Sequence, residues 1–183
     1  MNHRIFIAAD VPDKIQEEII KLRNEIYINN NLSWEKKEKL HFTLKFLGET
    51  DENLIPKFSE AIKKVAAGFS PFGIRFSNFG FFNKLGKPSV LWLGIEESIE
   101  LNNLFDNIEN SMAEIGFEKE KKKFHAHLTL LRIKNYLEEL KKFDKKPIDS
   151  LSFSCNSIPL VKSELFRTGS VYTTLNKFNF KEG

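Results

Sequence analysis

The sequence predicts an α+β fold organised as two pseudo-symmetric lobes, a single domain spanning 1–183. Three observations carry this. Strand-like and helix-like stretches are interspersed along all 183 residues. The tetrad His41-Phe42-Thr43-Leu44 returns 86 positions later as His127-Leu128-Thr129-Leu130, close to half the chain length away. A helix-and-strand module precedes each copy, so an internal duplication is the economical explanation, and it would set the two motifs face to face. A hydrophobic content of 41% is enough for a buried interior.

Taken in order, Ile5 to Ala9 is an apolar run closed by Asp10 and Pro12, which reads as a short buried strand. Pro12 and Asp13 suit the first turn of a helix running to about Tyr27, with Ile15, Ile19, Leu22 and Ile26 as its core stripe. Asn29-Asn30-Asn31 reads as a loop, and the charges that follow Trp34, Glu35 to Lys39, as a solvated face. The first motif strand then places Phe42, Leu44 and Phe46 on one side and ends at Gly48. A second amphipathic helix covers about 52–67 through Leu54, Ile55, Phe58, Ile62 and Val65.

Residues 69–82 turn aromatic and β-like, and Leu85-Gly86-Lys87-Pro88 reads as a turn into a strand over 89–94, antiparallel to its predecessor if the connection is a hairpin. A third helix covers 99–115 and stops at Gly116. The segment 118–123 carries four Lys and reads as a solvated loop, with a phosphate-attracting lip as the alternative. The second motif strand follows, with Ala126, Leu128 and Leu130 on one side. A short helix over 136–143 and strands over 151–161 and 171–180 close the chain.

The formal charge of +3 and the pI near 8.8 suit an anionic ligand but fall short of the field expected of a protein that coats duplex nucleic acid. The single Cys155 has no disulfide partner and no Cys cluster offers a zinc site, which points to a reducing, cytoplasmic location with Cys155 in a buried strand. No apolar run approaches membrane length. No heptad or unpartnered apolar helix is evident, so a monomer is expected.

Successive side chains of a strand point to opposite faces, so His41 and Thr43 share one face, as do His127 and Thr129. Each copy therefore offers an imidazole beside a hydroxyl. A metal centre built from His3, His41, His125 and His127 is the weaker reading, because no carboxylate lies within either motif. The residues alone leave open a module that holds a mononucleotide without turning it over.

The paired motifs resemble the 2H phosphoesterase superfamily, and more closely its RNA 2′,3′-cyclic phosphodiesterase branch, also called the LigT or 2′-5′ RNA ligase family. The resemblance runs from Arg4-Ile5-Phe6-Ile7-Ala8 through Leu40 to Gly48 and Val90 to Gly94, to His127 to Arg132. It implies two antiparallel-sheet lobes with outer helices around a central cleft, the N- and C-terminal segments sharing one lobe, no metal and no cofactor. The implied substrate is an RNA or nucleotide ending in a 2′,3′-cyclic phosphate. His41 would be the proton donor and His127 the acceptor, giving a 2′-phosphate, with 2′-5′ ligation as the reverse reaction; a related branch acts on 2′-5′ oligonucleotides. Thr43 and Thr129 would hold the phosphate oxygens. Arg132 is implied as a phosphate or ribose contact, although strict alternation points it away from His127 unless the strand bulges. Where the family often has Pro before the second His and a basic residue before that, this chain has Ala126 and His125. His125 either replaces the basic residue beside substrate or lies on the strand surface.

Overall fold

A computed structural model describes residues 1–29, 31–148, 150–167 and 169–181; Asn30, in the expected loop, lies outside them. The elements are β1 (Asn2–Ala9), α1 (Asp13–Ile26), β2 (Phe42–Asp51), α2 (Ile55–Ala66), β3 (Phe72–Lys84), β4 (Lys87–Ile95), α3 (Ile99–Ala113), β5 (His127–Arg132), β6 (Ser152–Cys155), β7 (Ser157–Phe166) and β8 (Gly169–Asn179). They form two four-stranded sheets of order β2-β1-β7-β8 and β5-β4-β3-β6, with every pairing antiparallel. The unit β1-α1-β2 of the first lobe thus corresponds to β4-α3-β5 of the second. Each motif strand is the edge strand of its sheet, and the two edges meet.

β1 is buried on both faces, which is why it reads as a continuous apolar run. Ile5, Ile7 and Ala9 face the main core, which also takes in Phe58 and Ile62 of α2, Leu104 and Ile108 of α3, and Leu128 of β5. Phe6 and Ala8 form a second cluster with Val161 on the opposite face. One hydrophobic core therefore runs beneath both lobes and fixes one against the other.

Four expectations about the elements themselves need correction. The strand expected over 151–161 is two strands that break at Asn156, β6 closing the second sheet and β7 entering the first. An unbroken apolar pattern cannot reveal that its two ends pair with different sheets. The helix expected over 136–143 is a 3-10 turn over Glu138–Phe143. In α1 the expected stripe does pack on the core, with Ile19 fully buried and Ile15, Leu22 and Ile26 partly so, but the polar Gln16 and Arg23 are buried with it. Gln16 is drawn inward because its amide donates to the Leu40 carbonyl at 3.0 Å, just ahead of the first motif. Gly48 does not end β2. It sits at φ +71° in a bulge opposite Ile5 and Phe6, a left-handed conformation that favours glycine, and the strand continues to Asp51.

Candidate active site

Both motif strands carry a bulge at the same place. The register of β2 on β1 skips Leu44, and that of β5 on β4 skips Leu130. An extra residue puts two consecutive side chains on the core side, and the next one swings to the other face. Leu44 and Lys45 are both buried, as are Leu130 and Leu131. The residues that swing out are Phe46 and Arg132, and both line the cleft between the lobes. The bulge supplies what alternation denied to Arg132. It also overturns the expected place of Phe46, which is 62% exposed rather than in the core with Phe42 and Leu44.

The narrow chamber at the centre of the cleft holds about 30 Å³ and is lined by both imidazole-hydroxyl pairs, His41 with Thr43 and His127 with Thr129, together with Arg132. Glu35, Lys39, Phe46 and Tyr172 complete its wall. Of the charges expected on a solvated face in the segment 34–39, Lys36 and Glu38 are exposed, but Glu35 and Lys39 turn into the chamber. Trp34 bridges to Leu131 and the Glu35 amide donates to the Leu130 carbonyl at 2.8 Å, so this segment seals the open edge of β5. Glu35 then lies 3.5 Å from the Arg132 guanidinium and 3.6 Å from the Lys39 ammonium, one carboxylate holding two cations beside the histidines.

The two imidazoles sit in different settings. His41 stacks on Phe6 at 4.8 Å between centroids and meets the edge of Tyr172 at 5.6 Å. Burial pulls its pKa down to about 4, against a backbone hydrogen bond at Lys39 that favours the charged form. His127 packs edge-on against Phe82 at 4.8 Å. Its Nδ1 lies 2.7 Å from the His125 carbonyl, which can only accept, so Nδ1 carries the proton and the neutral ring keeps its lone pair on Nε2. Burial lowers the His127 pKa as well.

His125 lies just ahead of β5, exposed, with its ring on Trp92 at 4.9 Å and Phe82 at 5.4 Å and its side chain lining the outer part of the cleft. It serves His127 through its carbonyl. Trp92 in turn lies across two glycines; a Cβ on Gly80 would come 2.4 Å from its ring and one on Gly94 2.8 Å. Among the described residues no three His, Cys, Asp or Glu side chains gather closely enough to hold a metal ion. His3, grouped with the motif histidines in the metal reading, faces Glu52 at the other end of β1. No described helix is long and apolar enough to cross a membrane. Cys155 is buried at the end of β6, where burial pushes its thiol up to about 12.

Glu35, Lys39, Phe46 and Tyr172 were not recognisable as site residues in the sequence. Tyr172 comes from β8, at the far side of the first sheet, and reaches His41 across Phe6. The one available signal was the short spacing of Glu35 and Lys39 ahead of His41, which is indistinguishable from an exposed charged turn.

A duplicated sheet-and-helix unit, contributing one His-x-Thr per copy to a shared cleft, is the layout of a two-histidine phosphoesterase. The chain belongs to the LigT like Phosphoesterase family, whose model matches it over residues 9–92 and again over 93–172, one match for each motif. An RNA 2′,3′-cyclic phosphodiesterase of Archaeoglobus fulgidus is 33% identical over 178 residues, covering 96% of this chain and 99% of the relative. One of Thermotoga maritima is 30% identical over 185 residues, covering 98% and 97%. The crystal structure of TT0787 of Thermus thermophilus matches with a TM-score of 0.84 at 26% identity over 98% of each chain.

Proposed function

We propose that this protein is an RNA 2′,3′-cyclic phosphodiesterase that opens terminal cyclic phosphates to 2′-phosphates with its own side chains. The observation that carries the reading is the convergence of both His-x-Thr pairs and Arg132 on one narrow chamber. The names of the Archaeoglobus and Thermotoga relatives support the same activity.

In this reading water attacks phosphorus while His127 Nε2 takes its proton. The P–O3′ bond breaks, and protonated His41 delivers a proton to the departing O3′. The tautomer fixed by the His125 carbonyl suits His127 to the accepting role, and the backbone hydrogen bond at Lys39 suits His41 to the protonated one. Each acid-base step of this kind contributes on the order of 10²–10⁴ in rate. Thr43 and Thr129 donate to the non-bridging oxygens as charge builds, and Arg132, held by Glu35, neutralises it. With a 5′-hydroxyl in place of water His127 takes its proton and His41 still protonates the departing O3′, so the product is a 2′-5′ link; the roles exchange only when such a link is cleaved back to the cyclic phosphate. The protein would work as a monomer in the cytoplasm, a location consistent with its single buried thiol.

The test is a short RNA ending in a 2′,3′-cyclic phosphate, incubated with the protein in chelator, with the phosphate position determined afterwards. A 2′-phosphate product that disappears in both His41→Ala and His127→Ala is expected. Full activity in either variant, or dependence on added metal, would refute the mechanism. Nucleotide binding without turnover would instead identify a binding module.

A further inference from the structure

Beyond the chamber the cleft widens into a cavity of about 790 Å³ that continues from Thr43, His127, Thr129 and Arg132 to the basic segment Lys119–Lys123. A chamber of about 30 Å³ accommodates little more than the reacting phosphate. The wider part lies in the upper range of cavities that enclose whole ligands. Its walls include lysines and rings, among them Phe46, Phe82 and Phe124.

The lysine segment is anchored to the fold. Lys45, the second residue of the first bulge and buried on β2, donates to both carboxylate oxygens of buried Glu109 on α3, each at 2.8 Å, and to the Glu118 carbonyl at 2.9 Å. Glu109 also accepts from the Glu120 amide at 2.8 Å. The Glu120 carboxylate accepts from the amides of Lys121 and Lys122 and is spent on turning the backbone; Glu118 also lines the cavity, and the four lysines of 118–123 outnumber the two glutamates. Phe124 then stacks on Phe105 at 4.2 Å and 11°. None of the described carboxylates forms an ion pair with Lys121, Lys122 or Lys123. Three cations are thus held at the rim of an aromatic-lined groove that leads to the histidines.

We propose that this groove is a subsite for the body of a single-stranded RNA, taking the nucleotides that precede the cyclic phosphate. Lys121, Lys122 and Lys123 would pair with backbone phosphates while the exposed Phe46 ring stacks an unpaired base. The polarity of the strand rests on the phosphodiesterase reading above; the binding of single-stranded RNA does not. A duplex would offer no free base faces to these rings, and an acidic peptide would make no use of them.

The experiment compares a 2′,3′-cyclic mononucleotide with a tetranucleotide carrying the same end, in wild type and in the triple variant Lys121→Gln, Lys122→Gln, Lys123→Gln. Three single-strand phosphate contacts give a salt slope of about −2, which amounts to a roughly 20-fold loss of affinity between 50 and 200 mM salt. The variant should raise KM for the tetranucleotide about tenfold or more with kcat unchanged and flatten its salt dependence, while both parameters for the mononucleotide stay in place. The triple arginine variant should restore tetranucleotide KM. Equal loss on both substrates, or no preference of the wild type for the longer one, would overturn the subsite. Fluorescence anisotropy with an unreactive labelled tetranucleotide, competed by polyglutamate, decides the question even if wild type turns over neither substrate. That last result would defeat the phosphodiesterase reading alone. Competition by polyglutamate as effective as by RNA would defeat the subsite.

Discussion

Filling the chamber with an anion should move the titration of His41 by about three pH units. In the free protein its pKa is pulled to about 4, chiefly by burial against Phe6 and Tyr172. At pH 7 roughly one molecule in a thousand then carries the protonated ring. A phosphate charge about 4 Å away, at an effective dielectric constant of about 20, contributes on the order of 4 kcal/mol to the charged form. At 1.36 kcal/mol per pH unit that amounts to a rise of roughly 3, to near neutrality. Substrate binding therefore takes up a proton, and affinity for the anion rises as pH falls across the interval between the two values. The assay is NMR titration of the imidazole Cε1–H signals, free and saturated with a nucleoside 2′-monophosphate. The same shift should set the optimum of kcat/KM, which reports the free protein, to the acidic side of the optimum of kcat, which reports the complex. A free-state value near 6.5, or a rise of less than one unit on binding, would refute the reasoning.

The two motif hydroxyls should each matter. Thr43→Val or Thr129→Val is expected to lower kcat by about 10²–10³ with little change in the urea midpoint, and unchanged kcat would remove them from the mechanism. Arg132→Gln should raise KM or lower kcat at least tenfold, and Glu35→Gln, which frees the guanidinium without removing it, should do less; the reverse ranking would show Glu35 to be the principal group. Gly80→Ala forces a methyl into the Trp92 ring and should cost about 1–3 kcal/mol in urea denaturation, a prediction that an unchanged midpoint would end. Because folding depresses the pKa of His41, the folded state binds fewer protons than the unfolded chain between about pH 6.5 and 4. That part of the stability is present above pH 6.5 and lost as pH falls through about 4, so His41→Asn should show a flatter dependence of its urea midpoint over this window than wild type.

The elements with strong local signals were legible in the sequence. The apolar stripes of α2 and α3, the Leu85-Gly86 hairpin and the in-and-out pattern of each motif all depend on neighbours within a few positions, and Leu85 and Gly86 both take the positive φ that a tight hairpin demands. What escaped depends on pairing between distant segments. The bulges at Leu44 and Leu130 arise from the register against β1 and β4, and without them neither Phe46 nor Arg132 could be placed on the cleft side. Asn156 separates two sheets that one alternating pattern cannot distinguish. Glu35 and Lys39 owe their place to Trp34 capping a strand almost a hundred residues later in the chain. The lysine segment reads in the sequence first as a solvated loop and only second as a lip, because nothing local shows that Glu109 and Lys45 hold its backbone against the cleft.

Duplication by itself yields two equivalent histidines, and equivalent groups are poorly suited to a reaction that needs one acid and one base. The two halves differ where that equivalence must be broken. In the first lobe the position after the bulge is Phe46 and the ring of His41 lies flat on Phe6, whereas in the second it is Arg132 and His127 stands edge-on to Phe82. The carbonyl of His125 commits His127 to a single neutral tautomer, with its lone pair on Nε2. His41 is more strongly desolvated, so its charge is stable only when an anion is there to meet it. The same strand geometry thus places both imidazoles, and in the proposed mechanism the side chains packed around them suit the rings to different roles, with His41 gaining its proton only when the anionic substrate is bound.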